Sequence, residues 1–128
     1  MGLSSNQLCG EIPPVFGKYK NLTQLYISRN YLTGIIPPEI AQLKHLSVLN
    51  LSENYLRGGI PPELGNITNL FILDLSYNEL TGTIPAQLVK LTALQRFGLA
   101  GNYINDVFMR SIKQCEGSML RGSSCFMV

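Results

Sequence analysis

The hydrophobic positions of the chain repeat every 24 residues. Within the stretch 46–61, Leu49 and Leu51 alternate with the polar residues Asn50 and Ser52. This alternation is the period of a β-strand that buries one face. Each repeat unit is therefore predicted to contribute one short strand.

The other repeated positions predict how the chain turns and returns after each strand. An asparagine follows the strand, where its amide can donate to and accept from turn backbone groups. A glycine and a proline come next and keep the return path extended. A second set of apolar residues is expected to point inward from that path. The asparagines are Asn6, Asn30, Asn54, Asn78 and Asn102, and the second apolar set is Ile12, Ile36, Ile60, Ile84, Phe16, Ile40, Leu64, Leu88, Tyr19, Leu43, Ile67 and Leu91.

One such unit buries too little surface to fold alone, so neighbouring units must stack and share a continuous core. The sequence therefore predicts a repeat solenoid rather than a globular fold. We assign residues 1–117 to the array, with a partial unit at 1–21 and full units that begin at residues 22, 46, 70 and 94. Residues 118–128 fit no repeat and are expected to form an irregular tail.

The pattern L-x-x-L-x-L-x-x-N-x-L-x-G-x-I-P-x-x-L-x-x-L, present at 46–67 and 70–91, resembles the plant-specific class of leucine-rich repeat. This class occurs in the ectodomains of receptor-like kinases and receptor-like proteins, and in polygalacturonase-inhibiting proteins. The resemblance implies an α/β repeat solenoid, wound as a right-handed superhelix with a concave parallel β-sheet. It also implies a second short strand near the L-x-G-x-I-P segment and a convex side of extended, 3-10 or short helical structure.

The two ends of the chain depart from the repeat. Met1 occupies the position of Leu25 and no cap precedes it, which we interpret as a segment of a longer ectodomain. The alternative is a short protein that hides its open edge by self-association. Near the other end, Gly-x-Ile-Pro is replaced by residues 106–109, and residues 107–114 are expected to form a helical turn.

Composition excludes several classes of function. A net charge of +2 and a charged fraction of 14% do not indicate the basic surface that nucleic-acid binding requires. No apolar run is long enough to span a bilayer, and no signal peptide is present. The resemblance implies an extracellular or cell-surface location in a parent protein, while the missing signal peptide leaves a cytoplasmic location open.

Candidate chemistry is sparse, and neither a cofactor nor catalysis is predicted. The only histidine, His45, lies in an inter-unit turn, so a metal site is not expected. Cys9 has polar counterparts in the other units and is expected to be exposed. A disulfide between Cys115 and Cys125 would attach the tail to the last unit, as caps do in the family that the chain resembles.

Three sequons for N-linked glycans occur at Asn21, Asn50 and Asn66. Asn21 and Asn66 lie in predicted turns, so we expect them to be the glycosylated residues. Asn50 projects from the inner sheet, where a glycan would obstruct binding.

The strand positions that alternate with the core leucines change from unit to unit and point outward from the concave face. They combine aromatic anchors with charges of both signs, which suits a peptide or protein surface. Adjacent Phe71 and Ile72, and Val48 in the unit before, are the apolar members of this face. The exposed tyrosines Tyr31, Tyr55 and Tyr103 are expected to line one flank. The predicted ligand-binding residues are Tyr26, Arg29, Asn50, Glu53, Phe71, Asp74, Tyr77 and Arg96.

The sequence therefore predicts a non-catalytic module that binds a peptide, a protein or a co-receptor through its concave face. One alternative is an inhibitor of a secreted cell-wall hydrolase, similar to the polygalacturonase inhibitors. The other is a structural segment that self-associates through its uncapped ends.

Overall fold

The computed structural model describes residues 1–105 and the backbone of residues 126–127. Its main sheet has five parallel strands, and their spatial order β2-β4-β6-β8-β9 follows the order of the repeats. These strands are β2 (Gln24–Tyr26), β4 (Val48–Asn50), β6 (Ile72–Asp74), β8 (Arg96–Gly98) and β9 (Phe126–Met127).

A second set of short strands follows the asparagines. Strand β1 (Cys9–Glu11) pairs with β3 (Tyr31–Thr33), and β5 (Arg57–Gly58) pairs with β7 (Glu79–Leu80), all in parallel. Each pair stops near a glycine, and Gly10, Gly34, Gly58 and Gly82 have φ between +77° and +85°. Glycine adopts this region at little cost because it has no Cβ, so the repeated glycine is explained by the turn.

The convex side consists of one short 3-10 helix per unit. These helices are η1 (Pro14–Lys18), η2 (Pro38–Gln42), η3 (Pro62–Asn66) and η4 (Ala86–Lys90). Each begins directly after a proline with extended backbone. Helices of this tight type rarely exceed one turn or so, and here they let the chain return to the next strand within the unit.

The register of the main sheet stacks equivalent residues above one another. Leu25 pairs with Leu49, Leu49 with Leu73, and Leu73 with Phe97. All four side chains are at most 1% exposed. The predicted solenoid with a parallel sheet is thus confirmed, and its core is a continuous column shared by neighbouring units.

A ladder of asparagine side chains joins the units behind the sheet. Asn54 shows the pattern: its Oδ1 accepts the backbone N–H of Leu32 at 3.1 Å, and its Nδ2 donates to the carbonyl of Ile27 at 3.0 Å. Asn30, Asn78 and Asn102 make the equivalent bonds, each to the unit before its own. Four of the five predicted asparagines thus bond to turn groups of the unit before their own, whereas the Asn6 amide donates only to the nearby carbonyls of Leu3 and Ser4.

The first unit and the tail differ in part from the expectations. The ring of Tyr19 was expected to point inward, yet Tyr19 is 50% exposed, because only the following unit packs against this part of the first one. In the segment expected to be an irregular tail, Phe126–Met127 pairs with Arg96–Gly98. Aromatic and β-branched residues favour strands, and the outer edge of β8 offers unpaired backbone groups. Cys115, Cys125 and the helical turn expected at 107–114 lie outside the described residues.

Candidate functional site

The outward-facing side chains of β2, β4, β6 and β8, the residue directly before each of these strands, and the residue that precedes each ladder asparagine form a surface that we call the concave strip. The sheet register brings its members together: Tyr26 lies opposite Asn50, Asn50 opposite Asp74, and Asp74 opposite Gly98. Adjacent strands are about 4.8 Å apart. A ligand a few residues long can therefore contact several units at once.

Buried serines hold two polar side chains of the strip in place. The Oδ1 atom of Asn50 accepts the Ser52 N–H at 3.0 Å and the Ser52 hydroxyl at 2.7 Å. Asp74 makes the same pair of bonds with Ser76, at 3.1 and 2.6 Å. No such contact was predicted for these serines. Their bonds leave the Asn50 amide donor and the second Asp74 oxygen to face a ligand.

The residue before each ladder asparagine has left-handed backbone. Arg29 and Glu53 have φ of +56°, Tyr77 has +55°, and Gly101 has +70°. Non-glycine residues seldom adopt this region. Here the conformation is held by backbone bonds to the next unit, such as the Glu53 N–H to the Ser76 carbonyl at 2.9 Å. Three predicted binding residues are thereby presented on a fixed turn.

The charges of the strip are divided between its two halves. Arg29 Nε and Glu53 Oε1 form an ion pair at 3.0 Å, although their side chains are 66% and 46% exposed. Asp74 and Arg96, in the later units, have no ion pair within the described part of the chain. The first half is therefore internally neutralised, whereas the second half offers one charge of each sign.

The last described unit has glycine at two strip positions, Gly98 and Gly101. Side chains of the preceding unit occupy the space above these glycines. A Cβ on Gly98 would collide with the Asp74 carboxylate, and one on Gly101 would collide with the Tyr77 ring. Tyr77 remains 61% exposed above Gly101. These glycines were not predicted as site residues, but they set the direction of two side chains that were.

One expectation about the strip was wrong. Val48 was expected to be exposed on the concave face, but it is only 6% exposed. It lies in the middle of the sheet between Gln24 and Ile72, and longer neighbours cover its short side chain. Phe71, by contrast, is 43% exposed, so the apolar contact surface of the strip is Phe71 and the partly exposed Ile72.

The tyrosines predicted for the flank of the strip are exposed. The rings of Tyr31 and Tyr55 are stacked, with centroids 6.3 Å apart and planes inclined by 12°. Both are about half exposed, and Tyr103 is 73% exposed. Stacked aromatic side chains present a large, rigid contact area at low cost in conformational entropy.

The remaining candidate residues lie away from the strip. Asn21 and Asn66 are exposed, and Asn66 ends η3 on the convex side. Cys9 is a free, exposed thiol, as expected. Within residues 1–105 no group of histidine, cysteine and acidic residues could hold a metal ion. In the same part of the chain no helix has the length and apolarity to cross a membrane.

Comparisons with known proteins agree with this geometry. A family model described as Leucine rich repeat matches residues 1–56, and a second, described as Leucine Rich Repeat, matches residues 69–91. A search of curated proteins finds no match.

Solved structures provide further relatives. The chain superposes on PEPR1, from a crystal structure of PEPR1-AtPEP1, with a TM-score of 0.81 and 35% identity over 82% of this chain and 15% of that one. The ectodomain of the Arabidopsis thaliana receptor kinase GASSHO1/SCHENGEN3, in complex with CASPARIAN STRIP INTEGRITY FACTOR 2, superposes with a TM-score of 0.76. The two share 40% identity over 77% of this chain and 12% of that one. The Arabidopsis receptor kinase HAESA, in complex with the peptide hormone IDA and the co-receptor SERK1, superposes with a TM-score of 0.76. The two share 37% identity over 79% of this chain and 17% of that one. The chain thus spans only a small part of each of these relatives.

Proposed function

The chain belongs to the leucine-rich-repeat family, and from that premise we propose that it is a non-catalytic recognition module whose concave strip binds a peptide or protein. The observation that carries the proposal is the fixed presentation of varied side chains on an invariant framework. Asn50 and Asp74 are oriented by buried serines, and Arg29, Glu53 and Tyr77 project from left-handed turns.

The composition of the strip favours an extended peptide over other ligands. Phe71 and Tyr77 are exposed aromatic residues of the same unit, one before and one after strand β6, and a few anchor residues, often aromatic, supply most of the affinity in protein interfaces. Asp74 and Arg96 add one charge of each sign that has no ion pair within residues 1–105, and such charges fix register and orientation more than affinity. A polyanion would instead require a surplus of positive charge along the strip.

The relatives support the same reading. The structure of the receptor kinase HAESA contains a peptide hormone and a co-receptor, so solenoids of this kind serve such partners. We therefore propose a peptide or protein ligand, with a co-receptor as a further partner, for the protein to which this segment corresponds. The relatives are receptor ectodomains, and an extracellular or cell-surface location is proposed on that basis.

A peptide-display selection tests the proposal. The 128-residue chain is immobilised, random linear peptides are selected against it, and the affinities of the recovered peptides are measured for the chain and two variants. Phe71→Ser removes an exposed apolar side chain from the strip, and Val89→Ser removes one from the convex side, where it is 52% exposed. Loss of an interface anchor costs about 1–2 kcal/mol, or roughly tenfold in affinity.

We expect Phe71→Ser, and not Val89→Ser, to weaken the selected peptides. Equal losses with both variants would contradict binding through the concave strip. Light scattering of the dilute chain addresses the assembly alternative: dimers that persist in strip variants would favour a self-associating segment. Inhibition of a polygalacturonase by the chain would favour the inhibitor alternative.

A further inference from the structure

The flank of the concave strip contains an interrupted row of tyrosines. Tyr31, Tyr55, Glu79 and Tyr103 occupy the same position in successive units. Their backbone N–H groups donate to equivalent carbonyls of the preceding unit at 2.7–2.8 Å. The backbone is therefore regular along the row, and only the third side chain departs from tyrosine.

The stacked pair shows how side chains in this row are arranged. The planes of Tyr31 and Tyr55 are inclined by only 12° and their centroids are 6.3 Å apart, so rings at successive positions of this row can stack. Tyr55 stacks with Tyr31, and Glu79 occupies the next position of the row. Continued along the row, the 6.3 Å spacing would place the rings of Tyr55 and Tyr103, which are two positions apart, about 12.6 Å from each other, with the Glu79 position between them.

The carboxylate of Glu79 is exposed and takes no part in an ion pair among residues 1–105. Arg57 is its partner across the β5-β7 ladder, but the two side chains do not come within salt-bridge distance. The Arg29–Glu53 pair shows that opposite charges at adjacent levels do pair elsewhere in the chain. The row therefore carries, at the position between Tyr55 and Tyr103, a negative charge that has no ion pair among residues 1–105.

We propose that Tyr55, Glu79 and Tyr103 form a slot for an arginine or lysine side chain of a peptide ligand. A cation midway between the two rings would lie about 6 Å from each centroid, which is within the range of a cation–π interaction. The Glu79 carboxylate would accept a charge-assisted hydrogen bond from it. Arginine fits better than lysine because its planar guanidinium can stack on a ring while it donates to a carboxylate.

This inference deepens the proposed function, on which it rests for the presence of a peptide ligand. Glu79 follows Tyr77 by two residues, so the slot is continuous with the concave strip. A ligand in the strip can therefore place one basic side chain on the flank. The slot itself can be tested without that ligand, which separates its failure from failure of the proposed function.

The test uses N-acetyl-arginine amide as the probe and N-acetyl-citrulline amide as its neutral counterpart of the same shape. Each is titrated into the full chain carrying ¹³C-labelled tyrosine rings, and the ring resonances are followed by NMR. We expect Tyr55 and Tyr103 to shift with the arginine compound and not with the citrulline compound. Glu79→Gln should weaken the arginine response about two- to fivefold, given the size of exposed cation–π and ionic interactions.

Glu63→Gln provides the matched control, because Glu63 is an exposed carboxylate in η3 on the convex side. It should leave the response unchanged. Equal shifts with the two compounds, an arginine response that Glu79→Gln does not weaken, or no shift at Tyr55 and Tyr103 would each overturn the proposal. A response that appears only in Arg57→Gln would also overturn it, because Arg57 would then fill the slot in the native chain.

Discussion

Replacement of Asn54 by alanine isolates the contribution of the asparagine ladder. Asn54 is 6% exposed. Its Oδ1 accepts the Leu32 N–H at 3.1 Å, and its Nδ2 lies 3.0–3.2 Å from the carbonyls of Ile27, Leu51 and Ser52. The substitution removes the bonds to Leu32 and Ile27, which join the second and third units, and the bonds to Leu51 and Ser52 within the third unit, without touching the leucine core.

The expected cost depends on which groups lose their only partner. The Ile27 carbonyl keeps the amide of Asn30, and the Leu51 carbonyl keeps that of Asn78. The buried N–H of Leu32 loses the acceptor that Asn54 supplies. An unsatisfied buried donor costs about 1–3 kcal/mol, and each further lost hydrogen bond about 1 kcal/mol. We therefore expect Asn54→Ala to lower the free energy of unfolding by about 3 kcal/mol.

Urea unfolding followed by far-ultraviolet circular dichroism measures this change, and Asn6→Ala is the matched control. Asn6 occupies the same repeat position but is exposed, and its amide bonds only to the nearby carbonyls of Leu3 and Ser4. Its replacement should cost well under about 1 kcal/mol. A cost for Asn54→Ala no larger than that for Asn6→Ala would refute the argument that the ladder joins the units.

Three further predictions concern close packing, surface charge and modification. Gly65→Ala should lower the free energy of unfolding by about 1–3 kcal/mol, because its Cβ would collide with the Gln87 carbonyl, whereas Gly59→Ala, with open space at the Cβ position, should cost clearly less in the same urea assay. Arg29→Ala should change stability by less than about 1 kcal/mol, since its ion pair with Glu53 is exposed; a larger change in the urea midpoint would contradict this. When the chain is secreted from a plant cell, mass spectrometry should find glycans on Asn21 and Asn66 and none on Asn50, whose Oδ1 is bonded to Ser52 on the concave face; full occupancy at Asn50 would contradict the assignment.

The sequence by itself determined which residues form the core, the turns and the outward-facing surface of this protein. A strict 24-residue period requires equivalent residues to stack, so the leucine columns, the asparagine ladder and the glycine turns could all be assigned before any coordinates were considered. The alternation within Leu49 to Ser52 fixed which side chains enter the core and which face outward, because successive strand residues point to opposite faces. The family resemblance rests on the same columns.

Only the tertiary structure decided which outward-facing side chains are exposed and which of them pair with one another. Val48 and Phe71 are both apolar members of that layer, yet one is buried and the other exposed. Arg29 pairs with Glu53, while Arg57 does not pair with Glu79. Periodicity assigns a residue to a face, but it says nothing about the size and direction of the side chains one unit away. Those neighbours, about 5 Å distant across the sheet, determine which side chains remain free to contact a ligand.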